Sequence, residues 1–312
     1  MKTPSRSLRL PACTAAAVAA LVWPASLLAA TKSVDEHRPA DATGEVEISN
    51  VAGRVEVIGW DKPEVAVTGQ IGSGVERVDV TSAGSRTTVH VEGHEWHGLS
   101  LGLSGPGAGE ANLVVHIPAR SSLTAGLISA DLNVTGIAGD QRVHSVSGDI
   151  TTAAQHEVHV RTVSGDVHVT AGSESKLIEI ATVSGDLAVS GGAGELSVET
   201  VSGDGTLSLG TLSRAHLKTV SGDISLSADL TADGRLEAES ISGDMRVSFT
   251  GAMPPAVYDV ETFSGDVTTC FGRKAAREGF GPGSRLNFQE GAASARVRIV
   301  TKSGDVTLCG KK

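Results

Sequence analysis

Apolar and polar residues alternate with a period of two along most of this chain. The alternation restarts at a fixed landmark, the tripeptide Ser-Gly-Asp ending at Asp149, Asp166, Asp186, Asp204, Asp223, Asp244, Asp266 and Asp305. Eight and six residues before the aspartate the chain is apolar, as at Val158 and Val160, Ile178 and Ile180, Leu196 and Val198, and Val297 and Ile299. One and three residues after it the chain is mostly apolar again, as at Val167 and Val169, Leu187 and Val189, and Ile224 and Leu226. The positions seven and five before are mostly polar, for instance His159 and Arg161. The position four before is Thr or Ser in every copy: Ser145, Thr162, Thr182, Thr200, Thr219, Ser240, Thr262 and Thr301. A period of two marks a strand with one buried face, so each copy predicts a strand, a tight corner and a second strand.

Successive aspartates lie 17, 20, 18, 19, 21 and 22 residues apart, and a last gap of 39 breaks the series. A unit of about 20 residues with two short strands cannot bury a face alone, and stacking such units predicts an all-β fold, a single parallel β-solenoid. A propeller blade needs about twice that length per repeat. Looser coils precede the regular ones, in "LTAGLISADLNVTG" around Asp131 and in "EISNVAGRVEVIGW" near the start. The expected organisation is a lead-in over 31–43 and a solenoid over 44–312. Within the solenoid, irregular coils and a loop fill 44–110, regular repeats 111–270, an excursion 271–294 and a final coil 295–312.

Coils stacked about 4.8 Å apart place the eight aspartates in a ladder, where neighbours in water repel by about 1 kcal/mol per pair. Two arrangements offset this. In the first, Gly takes a restricted corner conformation while Ser and Asp side chains accept hydrogen bonds from turn amides. In the second, a row of cations lies along the carboxylates, although the Gly-rich nonapeptide of calcium-binding solenoids is absent. The first is the expectation, which makes the aspartates turn residues rather than ligands.

The first thirty residues read as a secretory signal peptide, with Lys2, Arg6 and Arg9 before an apolar stretch and small residues at Ala29 and Ala30. The alternative is an uncleaved anchor, but Pro24 interrupts a stretch already near the lower limit for crossing a bilayer. Cys13 precedes the apolar core, the wrong side for a lipoprotein. Cleavage would remove three basic residues and no acidic ones, taking the net charge from −10 to −13. So acidic a chain with no basic stripe excludes nucleic acid as a principal partner. The expected address is therefore the periplasm or the cell surface, with no membrane-spanning segment left after cleavage.

Candidate chemistry is sparse. Glu237, Glu239, Asp259 and Glu261 project from outward positions of two consecutive repeats, and four acids on one face could serve a glycan enzyme. Outward positions are polar in any solenoid, however, and long groove-forming loops are few. No serine of the repeat sits in a nucleophile elbow. The loop "HVEGHEWHGLSLGLSGPGAGE" offers His90, His94 and His97 around Trp96, which could ligate zinc or copper. His94, Trp96 and His97 read better as a contact loop for a protein or glycan. No catalytic residue, metal site or cofactor is expected. Cys270 and Cys309 each lie four residues after their aspartate, so if 271–294 is an excursion the two coils are neighbours and a disulfide is predicted. With an intervening coil they would instead be separate buried thiols.

The run "LVVHIPARSSLTAGLISADLNVTGIAGDQRVHSVSGDI", followed by recurrent "TVSGD", resembles a bacterial family of exported, adhesin-like proteins of unknown function. The resemblance spans roughly 44–312. It implies a β-solenoid at the cell envelope and carries no catalytic residues. The functional expectation is a non-enzymatic envelope scaffold or adhesin-like binding protein whose partner is an envelope protein or glycan. An envelope enzyme acting on polysaccharide through carboxylates is the alternative.

Overall fold

The computed structural model describes residues 31–93, 109–277, 283–292 and 294–311. Alternating burial follows the alternating sequence: Val158, Val160, Val167, Val169, Ile178, Ile180, Leu187 and Val189 are buried, and their neighbours face outward. Equivalent residues of successive coils pair in parallel and in register, as Val158 with Ile178 and Val160 with Ile180, or Val167 with Leu187. The core is accordingly a stack made mainly of Val, Ile, Leu and Ala, joined by Met245, Phe249 and Tyr258 toward the C-terminal end. Early regular coils carry the expected short strands, such as Val158–Thr162 and Val167–Ala171. In the coils after Asp204 and Asp223 the back has no breaking turn, and one long strand bends across it, Gly205–Ser221 and Ile224–Ser242. After Asp244 the coil breaks again between Met245–Ala252 and Ala256–Ser264. Register shifts between Ser208 and Thr211 and between Leu212 and Arg214 absorb the bend.

The corner explains the repeated tripeptide. Gly203 and Gly222 have φ of 125° and 128°, a region that side chains disfavour. A Cβ on Gly203 would also lie 2.1 Å from the carbonyl oxygen of Gly185 in the next coil. Glycine is required twice, by its own torsion and by its neighbour's backbone. The hydroxyl four residues before the aspartate is buried and donates back to the corner: Thr162 to the carbonyl of Ser164 at 2.9 Å, Thr182 to that of Ser184 at 3.2 Å, and Thr200 to that of Ser202 at 3.3 Å. A valine there would leave that carbonyl short of a partner. Ser145 makes the same bond at 3.1 Å, Thr262 donates instead to the carbonyl of Gly304 in the adjoining coil, and the buried hydroxyls of Thr219 and Thr301 have no such partner among the described residues.

Two features depart from a single parallel solenoid. The sheet is mixed, because antiparallel strands close both ends. Glu64–Ile71 runs antiparallel to Ala111–Pro118 and to Lys32–Pro39, and Val75–Ala83 runs antiparallel to Arg86–Gly93. At the other end Ser284–Gln289, within the expected excursion, runs antiparallel to Ala256–Ser264. Such strands give the outermost coils partners that would otherwise be open edges. Phe288 of this cap stacks on the fully buried Tyr258 at 4.5 Å, beside Phe271, so a chain poor in aromatics concentrates them at one end.

The coils are also out of chain order. Ala295–Ser303 pairs on one side with Ile224–Ser242 and on the other with Ala256–Ser264, so the last coil lies inside the one that precedes it in sequence. The opposite end repeats the arrangement: Glu45–Trp60 lies between Ser122–Ile137 and the strands Arg86–Gly93 and Ala111–Pro118. Cys270 and Cys309 are disulfide-bonded across this insertion, with Cα atoms 4.8 Å apart. The bridge therefore ties an inner coil to the outer one, rather than a terminal coil to its support.

Gly203→Val should lower stability by at least about 2 kcal/mol in chemical unfolding, combining torsional strain with the backbone clash. A midpoint unchanged from the parent protein would contradict the corner geometry. For the bridge, mass spectrometry without reductant should find no alkylatable thiol at Cys270 or Cys309. The Cys270→Ser, Cys309→Ser double variant should lose about 3–4 kcal/mol, as expected for a loop of 39 residues.

Candidate functional site

The corner column is the most extensive feature on the surface. Each corner aspartate donates its backbone N–H to Oδ1 of the aspartate in the adjoining coil. The series runs from Asp131 through Asp149, Asp166, Asp186, Asp204, Asp223 and Asp244 to Asp305 and ends at Asp266, with distances of 2.8 to 3.2 Å. The carboxylates accept from amides, but from the neighbouring coil and not from their own turn. The corner serines act differently from the expectation. Ser147 and Ser164 donate to the carbonyls of Ile128 and Val146 instead of accepting. An amide held against each carboxylate from Asp131 to Asp305, and Arg277 with Ser284 against that of Asp266, offset the repulsion along the ladder. Among the described residues no three His, Cys, Asp or Glu side chains converge as a metal site.

Beside the aspartates runs a row that sequence reasoning missed. Ile128, Val146, Val163, Val183, Val201, Val220 and Ile241 stand three residues before the corner aspartate of their coils and are 38% to 50% exposed; Phe263 in the outermost coil is 74% exposed. Lys302 of the inserted coil interrupts the row between Ile241 and Phe263. Neighbouring β-branched side chains stack along the axis, yet each keeps about half its surface in water. The signal was present in "TVSGD": the buried position holds the hydroxyl and the outward one the aliphatic, an inversion of the alternation seen at most other strand positions.

The acidic quartet does not form. The inserted coil separates its two halves: Arg298 lies between Glu237 and Asp259, and Val300 between Glu239 and Glu261. Glu261 is paired with Arg285 at 2.5 Å. On the same face Glu179 accepts from Arg161 at 2.9 Å and from His159 at 3.0 Å, and these bonds hold its carboxyl below the usual range. These acids belong to ion pairs or stand apart, and none faces another across a groove. His94, Trp96 and His97 lie outside the described residues. His90 is on the strand Arg86–Gly93, where its Nδ1 meets the hydroxyl of Ser49.

If the carboxylates act as amide acceptors, Asp223→Ala should cost about 1–2 kcal/mol, because the Asp244 amide loses its partner. Asp223→Asn, which keeps an acceptor oxygen, should cost less. Calcium should shift the melting temperature of the parent protein little. A large calcium stabilisation abolished by Asp223→Asn would mean that cations, not amides, hold the ladder.

Among the described residues no helix is long and apolar enough to cross a membrane. No curated protein matches the chain. Solved structures similar to it include a "putative cell adhesion protein" from Clostridium sporogenes, at 11% identity and a TM-score of 0.22, covering 90% of this chain and all of that one. A "putative adhesin" from Parabacteroides distasonis matches at 10% identity and a TM-score of 0.43, covering 88% and 97% of the two chains. A "putative lipid binding protein" from the same organism matches at 10% identity and a TM-score of 0.25, covering 90% and 97%. Likeness at this distance carries no function across. The family model that matches residues 43–309 is decisive by its extent, and the chain belongs to the Toastrack DUF4097 family.

Proposed function

We propose that this protein is a non-enzymatic scaffold or adhesin-like binding protein of the cell envelope, acting after export, and that it engages an envelope protein or glycan along its corner column. The observation that carries this reading is the aliphatic row. Seven consecutive coils present one half-exposed Val or Ile each, at strand spacing, on a rigid flat edge. Exposed apolar side chains in a continuous line mark contact surfaces, whereas scattered ones are ordinary. A rigid edge also binds without an ordering cost on its own side. The disulfide supports export, since such bridges persist in oxidising compartments. The separation of the acidic quartet by Arg298 removes the arrangement that favoured a polysaccharide enzyme.

A photo-crosslinking residue at Val201, in living cells, should capture a discrete partner, while the same residue at Thr206 on the other outward face should not. Replacing Val163, Val183, Val201 and Val220 together with Thr keeps the β-branched shape. It should abolish capture from a neighbouring row position such as Ile241, with stability changed by less than about 1 kcal/mol. Capture that is equal from both faces, or undiminished by the four substitutions, would contradict a binding edge.

A further inference from the structure

The out-of-order insertion of the last coil also builds a cleft on the strand face, away from the corner. In register, Arg296 stands beside Arg235, which stands beside Arg214, with Arg298 two residues along the inserted strand. Stacked like charges at strand spacing are unfavourable unless something lies between them. Arg214 is held by Glu195 at 3.2 Å. Arg235, Arg296 and Arg298 form no ion pair or side-chain hydrogen bond among the described residues. The protein has a surplus of acids from which to supply counter-charges. Glu237 is even directly across from Arg298 in the ladder, yet the two do not pair.

These three arginines line one cleft of about 400 Å³, together with Glu237, Ser294 and Val257. Its volume lies in the range of small-molecule sites, about 300 to 1,000 Å³. Asp259, the other register neighbour of Arg298, is not among the lining residues. Three guanidinium groups against one carboxylate give the cleft lining a net positive charge, which the two negative charges of a phosphate monoester answer more fully than a single carboxylate does. Guanidinium forks suit phosphoryl oxygens in geometry as well as charge. The Ser294 hydroxyl adds a donor, and Val257, 41% exposed, gives an apolar wall for the face of a sugar ring or a short alkyl segment.

We propose that this cleft is a binding site for a phosphate monoester carried on a saccharide-sized group, presented either by a soluble sugar phosphate or by a lipid headgroup. The site is distinct from the corner row, shares no residue with it and does not depend on it.

Calorimetric titration of the whole mature protein at low salt, with glucose 6-phosphate as probe, should show saturable binding that weakens as salt rises. Glucose should not bind, and glucuronate should bind at least about tenfold more weakly. Arg296→Gln, Arg298→Gln and Arg235→Gln should each weaken glucose 6-phosphate binding by about tenfold or more, the loss expected for one charge-assisted hydrogen-bonding group. Arg296→Lys should retain more of it, and Arg214→Gln, outside the cleft, should retain nearly all. Unchanged melting curves establish that the variants are folded. Flotation with phosphatidylcholine vesicles containing phosphatidylinositol 4-phosphate, whose headgroup is a phosphate monoester on a sugar-sized ring, distinguishes the sources: arginine-dependent capture there, absent with phosphatidylcholine alone, assigns a lipid headgroup. Capture by neither vesicle alongside binding of the sugar phosphate assigns a soluble ligand. The proposal is overturned if no phosphate probe binds at low salt, if glucuronate binds as tightly, or if folded Arg→Gln variants bind as well as the parent protein.

Discussion

Backbones stacked one coil apart leave no space at the corner for anything but a hydrogen atom, and the rest of the architecture follows from that contact. A Cβ on Gly222 would sit 2.2 Å from the carbonyl of Gly203, and the same approach recurs at Gly243 and Gly304. Once glycine lets the corners stack, the aspartate amide of one coil comes within 2.8 to 3.2 Å of the carboxylate of the next. The ladder has a direction, each coil donating to its neighbour, so every added coil satisfies the one before it. In the coils of Ser145, Thr162, Thr182 and Thr200 the buried hydroxyl behind the corner completes the set by donating to a carbonyl of the turn. Three residue types at fixed spacing thus solve torsion, packing and hydrogen bonding together.

Because all coils present the same interface to one another, nothing in the repeat specifies which coil must lie beside which. The chain uses this freedom at both ends, placing its first coil and its last coil one layer inward and closing the outside with antiparallel strands. The arrangement buries the termini of the repeat region within the ladder instead of leaving them at an open edge. It also has chemical consequences. Insertion of the last coil separates Glu237 from Asp259, brings Arg296 against Arg235, and sets Cys309 beside Cys270.

The parts of the fold that were legible in the sequence are those fixed within one repeat: the strands on either side of Asp166 or Asp204, the glycine corner, and the matched positions of Cys270 and Cys309. The parts that were not legible depend on which repeats adjoin. The four acids looked adjacent because their repeats are consecutive in sequence, and only the layer order shows Arg298 between them. The antiparallel caps, such as Ser284–Gln289, do not repeat and so left no periodic trace. Val163 and Val201 were visible but easily passed over, since an apolar residue after a threonine reads as core until the threonine is seen to be the buried one of the pair.

Amide hydrogen exchange measures the corner ladder directly. The aspartates are exposed residues, so in an ordinary surface turn their amides would exchange as fast as that of Lys62, which lies in an exposed bend. If each amide is held by the carboxylate of the next coil, the N–H groups of Asp186, Asp204, Asp223 and Asp244 will instead exchange as slowly as those of the core residues Val189 and Leu226. Exchange at loop rates from those four amides, with the core still protected, would contradict the account.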